Sequence, residues 1–164
     1  MLEFNKSYSD SKKILDELLI GSGVVLFRDV FSIDEINDAR EIVNKFADNQ
    51  EQKETHFNAE AEEAGTIHLQ QRVWNLFGKA KVFSALITHD IIFDLMTKFL
   101  GTEFICGSYC ASRLLPGAVG QEPHIDYPYW DLYNKETFPM GLNSSFPQNC
   151  QVTIPLDVCS ESSG

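Results

Sequence analysis

The sequence is short of positive charge and contains no long apolar run. Its 164 residues carry 13 Lys and Arg against 24 Asp and Glu, which gives a formal net charge of −11. Because no basic cluster is present to displace counterions from phosphates, a nucleic-acid-binding protein is not expected. The same charge disfavours an anionic membrane surface. No apolar segment approaches the roughly 20 residues that span a bilayer. These absences predict a protein that binds neither nucleic acid nor membrane.

Cysteine spacing and the first residues bear on the cellular compartment. The four cysteines show no Cys-x-x-Cys spacing, and Met1 to Lys6 lacks the basic region and apolar run of an export signal. Thiols in such a chain are expected to be reduced. We therefore predict a cytoplasmic protein without a disulfide framework.

Composition and periodicity predict one domain over residues 1–164, with helices first and strands later. Hydrophobic residues make up 43% and charged residues 23%, as in ordinary globular proteins. Apolar residues at helical spacing predict helices over Asp10–Ile20, Ile33–Phe46 and, in two pieces, Lys81–Leu100. Branched and aromatic runs predict strands over Val24–Phe27, Thr66–Phe77, Phe104–Leu115 and Asn149–Leu156. This order favours an α+β fold in which an N-terminal helical layer supports an antiparallel sheet.

Local signals mark several ends of these elements. Ser32 and Glu35 have the spacing of a capping box at the start of the second helix. Thr88 is a candidate cap between the two later helical pieces, and Gly101 is a candidate stop. Pro116-Gly117 is a turn pair that closes the long strand candidate.

The segment His124-Ile125-Asp126 contains the residue types of a metal site. Residues two apart on an extended segment point to the same face, so His124 and Asp126 would converge on one point. With a second histidine they would form the 2-His-1-carboxylate arrangement, which leaves positions open on Fe(II). A keto acid chelates two of those positions and dioxygen takes the third. By itself, the pattern also fits a loop histidine hydrogen-bonded to an acid.

The surroundings of this motif carry a family resemblance. A strand from Arg113 ends in a Pro-Gly turn before His-x-Asp, and a later strand reads Leu156-Asp157 followed by a polar run to Gly164. A Gly-then-hydrophobic strand, Gly23 to Phe27, lies near the N-terminus. The pattern resembles the phytanoyl-CoA dioxygenase family of Fe(II)/2-oxoglutarate-dependent oxygenases.

The resemblance implies a double-stranded β-helix, a jelly-roll of two antiparallel sheets with the metal between them. Residues 1–102 would be mainly helical support with a few strands, and residues 103–164 the first part of the jelly-roll core. The implied activity is a dioxygenase that hydroxylates a small molecule, with Fe(II) as cofactor and 2-oxoglutarate as cosubstrate. An aspartate at position 126 favours hydroxylation over halogenation, since halogenating relatives have a small residue there.

The resemblance also implies roles for single residues. His124 and Asp126 would ligate the metal, while Arg72, Gln121 and Thr153 would contact the cosubstrate. Arg72 is equally interpretable as a surface charge, and the other two as ordinary loop and strand residues. Tyr127, Tyr129 and Trp130 would wall the substrate site, or alternatively cover an end of the barrel as satellite core.

One part of the family pattern is not found. The second metal histidine of the family lies in a segment resembling Pro-Gly-Ser-His, followed by a basic residue, and both would come after Gly164. His56, His68 and His89 are not natural replacements. The expectation is therefore a jelly-roll without its C-terminal strands, a fragment inactive alone. The alternative is a non-catalytic jelly-roll binding module or truncated relic. A cupin-like metal enzyme fits less well, because only one histidine lies near the site.

Overall fold

Helices occupy much of the first hundred residues, and short strands lie between them. The computed structural model describes residues 1–7, 10–49, 59–121, 136 and 147–160. The helices are α1 Ser11–Ile20, α2 Ile33–Asn49, α3 Ala59–Glu63, α4 Lys81–Ile87 and α5 Asp90–Leu100, and the strands are β1 Leu2–Asn5, β2 Val25–Arg28, β3 Gln70–Val73 and β4 Ala111–Leu114. Short 3₁₀ turns cover Ile67–Leu69 and Leu76–Gly78. The expected mixture of helix and strand is confirmed. The described residues form two two-stranded sheets and no closed barrel, so a jelly-roll stays a prediction.

The described residues cluster into two compact units that alternate along the chain. The first unit contains residues 1–7, 10–30, 90–104, 136 and 147–152, and the second contains residues 31–49, 59–89, 105–121 and 153–160. A single domain over residues 1–164 stays a prediction. No helix among the described residues is long and apolar enough to cross a membrane.

The first unit contains a parallel strand pair that the sequence did not predict. β1 pairs with β2 from Leu2 opposite Val25 to Asn5 opposite Arg28. Parallel neighbours require a crossover connection, and α1 provides it. Phe4, Ile14 and Leu95 form the buried centre of this unit. A helix of α1's length between two short strands allows them to run in the same direction.

The second unit packs α2 against an antiparallel pair. β3 pairs with β4 from Gln70 opposite Leu114 to Val73 opposite Ala111. Ala39, Val43 and Ala47 recur every four residues on α2 and are buried against Val73. A helix supporting an antiparallel sheet, as predicted, is present in this unit.

Strand lengths differ from the predictions. The strand expected over Phe104–Leu115 forms only at β4, and the strand expected over Thr66–Phe77 forms only at β3. Asn149–Leu156 has no assigned strand, although Ile154 and Leu156 pack on the core of the second unit. A strand needs a hydrogen-bonded partner, and within the described residues β4 is partnered only by the four residues of β3.

The helix ends follow the local signals closely. Ser32 Oγ accepts from the Glu35 amide at 3.3 Å, and Glu35 Oε2 accepts from the Ser32 amide at 2.9 Å, which confirms the capping box. Gly101 ends α5 with a positive φ of 94°, as predicted. Thr88 does not begin α5. Its hydroxyl donates to the Ser84 carbonyl at 2.8 Å and so caps the end of α4.

Candidate functional site

The motif that carries the predicted chemistry lies outside the described residues. His124, Asp126, Tyr127, Tyr129 and Trp130 all fall in that part of the chain. Their roles as metal ligands and substrate wall stay predictions. The described stretch before the motif ends at Gln121, three residues before His124, so the structure shows how the chain approaches the motif.

The β3–β4 sheet has two chemically different faces. Alternation along a strand places Gln71 and Val73 on one face, with Arg113 and Ala111 directly opposite them on β4. Val73 and Ala111 pack with the core that includes α2, and Arg113 donates to Asn44 of α2 at 3.1 Å. This first face is therefore the one that α2 covers.

The second face of the sheet points away from α2. It carries Gln70 and Arg72 of β3, with Leu114 and Ser112 directly opposite on β4. Ser112 is exposed, and Leu114 exposes 58% of its surface. Polar and apolar side chains thus share a face that no described helix covers.

Arg72 is held on the second face by two neighbours. Its Nη1 donates to the Cys110 sulfur at 3.2 Å. Its guanidinium carbon lies 5.7 Å from the centroid of the Trp74 ring, a cation–π distance. Within the described part of the chain no carboxylate forms an ion pair with Arg72. The guanidinium is therefore held in one orientation, and no described acid neutralises its charge.

The turn after β4 forms as the sequence predicted. The Ala118 amide donates to the Leu115 carbonyl at 3.0 Å, which encloses Pro116-Gly117. Gly117 has a φ of 91°, as the third position of a type II turn requires. The Leu115 amide also donates to the Leu69 carbonyl at 2.9 Å, so the turn starts while still bonded to the residue before β3.

Gln70 hydrogen-bonds the chain beyond this turn, a contact that the sequence did not predict. Its Nε2 donates to the Val119 carbonyl at 2.5 Å, across 49 positions of sequence. Gln70 is 6% exposed and is the only buried polar residue among those described. A glutamine in a short strand carries no signal of a partner so distant, so only the folded chain identifies it.

Gln121 and Thr153, the two other predicted cosubstrate contacts, are both exposed. Thr153 precedes Ile154, which packs into the core of the second unit. Among the described residues, neither side chain makes a hydrogen bond with Arg72. The structure therefore does not bring these three predicted contacts together directly.

The described residues contain no group of three or more His, Cys, Asp or Glu side chains arranged to hold a metal ion. His68 is exposed on a 3₁₀ turn, and the ring of His89 lies edge-on to Phe31 at 5.3 Å. His56 lies outside the described residues. All four cysteines are free thiols, and burial raises the pKa of Cys150, which favours its protonated form.

No family model, curated protein or solved structure matches this chain. The resemblance to the phytanoyl-CoA dioxygenase family accordingly rests on the motifs of the sequence itself.

Proposed function

We propose that the complete gene product containing this chain is an Fe(II)/2-oxoglutarate-dependent dioxygenase that hydroxylates a small molecule. His124 and Asp126 supply two metal ligands within a jelly-roll, and Arg72 binds a carboxylate of the cosubstrate. Tyr127, Tyr129 and Trp130 form the substrate wall.

One observation supports this proposal best. Arg72 and the chain that runs toward His124 lie at the same face of the β3–β4 sheet, the face opposite α2. Arg72 projects from that face by strand alternation, and Gln70 binds the Val119 carbonyl from the same face. A basic side chain and a metal-ligand segment must share one face if a single keto acid is to contact both.

The side chains of His124 and Asp126 are suitable ligands for Fe(II). An imidazole with a carboxylate is the donor pair of non-haem Fe(II) sites, and two such ligands two residues apart need an extended segment. Bound iron would supply the positions where 2-oxoglutarate and dioxygen meet. In the overall reaction, 2-oxoglutarate and dioxygen become succinate and carbon dioxide, and one oxygen atom enters a substrate C–H bond.

The part played by the chain itself is binding and orientation. The Arg72 guanidinium presents several N–H donors in a plane, which suits a carboxylate. Its contacts with Cys110 and Trp74 limit its rotation, so less conformational entropy is lost when an anion binds. The exposed Ser112 and Leu114 beside it leave room at this face.

The test uses the complete gene product with Fe(II) and 2-oxoglutarate under anaerobic conditions. We expect the weak visible charge-transfer band of the chelate, and succinate formation once dioxygen and substrate are present. His124→Ala and Asp126→Ala should abolish both signals. Absence of the band and of succinate in the unaltered protein would refute the proposal. Metal content and ligand binding that do not change in His124→Ala would favour a non-catalytic binding module.

Arg72→Met tests the cosubstrate contact separately. Loss of a charge-assisted hydrogen bond should weaken 2-oxoglutarate binding by about tenfold to a hundredfold while Fe(II) binding is retained. Arg40→Met is the matched control, because Arg40 pairs with Asp157 at 3.0 Å and has no proposed part in the site. Equal 2-oxoglutarate affinities of the two variants would remove Arg72 from the site.

A further inference from the structure

Gln70 is a buried amide in a place where an apolar side chain would satisfy packing. It is 6% exposed, and its partner across the sheet is Leu114. A buried amide costs free energy unless its polar atoms find partners. The Nε2 of Gln70 meets that need by donating to the Val119 carbonyl.

The contact at Val119 is the last of three that hold the chain after β4. The first joins the Leu115 amide to the Leu69 carbonyl, and the second closes the turn from Leu115 to Ala118. These two bonds fix the turn itself. Neither bond involves the chain beyond Ala118, and the Gln70 side chain bonds the next residue, Val119.

Val119 precedes His124 by five residues. We infer that Gln70 is a positioning residue, whose buried amide sets the direction in which the chain leaves the Pro116-Gly117 turn toward the metal-ligand segment. This inference rests on the proposed iron site. Gln70 would touch neither metal nor cosubstrate and would act only through the backbone of Val119.

The decisive variant is Gln70→Met, which keeps the length of the side chain and removes the donor. Gln71→Met is its matched control. Gln71 is the next residue of β3, faces α2, and also takes part in one side-chain hydrogen bond, with Arg113 at 2.6 Å. If Gln70 had only a structural role, the two variants would differ in melting temperature and in no other property.

Two readouts separate positioning from stability. In the metal-free protein, amide hydrogen exchange over residues 115–121 should be faster in Gln70→Met and unchanged in Gln71→Met. In the anaerobic chelate titration, Gln70→Met should weaken binding of Fe(II) with 2-oxoglutarate by about tenfold or more, and Gln71→Met should not.

Each outcome decides the inference. If the unaltered protein gives no chelate band, the proposed function fails and this inference fails with it. If the band is present and Gln70→Met binds as the unaltered protein does, only the inference is wrong. Gln70→Glu, which keeps the shape and loses the amide donor, serves as a second variant and should show the same loss. If neither variant folds, Gln70 is a structural residue and the inference is likewise overturned.

Discussion

Gln71 and Arg113 are direct partners in the β3–β4 register, and the Arg113 Nε donates to the Gln71 Oε1 at 2.6 Å. The same guanidinium donates to Asn44 at 3.1 Å and to Asp48 at 2.5 Å, both on α2. One side chain, 22% exposed, thus joins both strands to the helix that covers them. The first face of the sheet is held by this contact as well as by apolar packing.

Arg113→Met should therefore lower the free energy of unfolding by about 2 kcal/mol, because several acceptors lose a charged donor at once. Chemical denaturation measures the change. Arg28→Met is the control, since Arg28 pairs with Glu3 where both side chains are at least half exposed. Such an exposed pair contributes little to stability, because solvent screens the two charges. Equal effects of the two variants would show that Arg113 is an ordinary surface charge.

Gly117→Ala should destabilise the protein by about 1 kcal/mol through its backbone. Gly117 has a φ of 91°, which a residue with a Cβ adopts at a cost. An added Cβ would meet only Leu69 Cδ1 at 3.5 Å, an ordinary contact, so steric overlap is not the cause. Gly107→Ala provides the comparison, because its φ is not positive and no described atom lies within 4 Å. A neutral Gly117→Ala in thermal denaturation would contradict the turn geometry.

Ser32→Ala should raise the pKa of Glu35. Hydrogen bonds from the Ser32 hydroxyl and amide hold the pKa of this carboxyl below its ordinary value, with a smaller contribution from His89. The stability linked to this low pKa is present above the pKa of the unfolded chain and is lost as pH falls through the folded value. NMR titration of the carboxyl carbon measures the change. Glu3, whose pKa is lowered by Arg28, should not respond and is the internal control.

The unaltered protein should lose stability at alkaline pH as Tyr109 ionises, and Tyr109→Phe should not show this loss. Burial, with a smaller contribution from Cys106, raises the pKa of Tyr109 to about 12, and its hydroxyl donates to the Phe83 carbonyl at 3.0 Å. Stability from the neutral phenol is full below the unfolded pKa of about 10 and is lost as pH rises through the folded value.

The measurement is denaturation as a function of pH in the unaltered protein and in Tyr109→Phe. At neutral pH the variant should lose about 1 kcal/mol for the missing hydrogen bond. Above pH 10 the difference between the two proteins should shrink. A difference that stays constant to pH 12 would contradict the raised pKa.

Elements set by neighbouring residues could be predicted from the sequence. The Ser32–Glu35 capping box, the Gly101 stop and the Pro116-Gly117 turn all form within a few residues of chain. Strand bounds could not be predicted in the same way. β1 and β2 pair across an intervening helix, and β4 is limited by the four residues of β3, so both depend on distant partners.

The candidate site likewise combines features that could be predicted from the sequence with features that only the folded chain shows. The sequence by itself identified the His124-Ile125-Asp126 motif and predicted the turn before it, because both are local patterns of residue type and spacing. The choice of Arg72 followed from the family resemblance. Only the tertiary structure decided that Arg72 lies on the face opposite α2 and that Gln70 holds Val119. The physical reason is that strand register and a hydrogen bond across 49 residues exist only when the chain has folded.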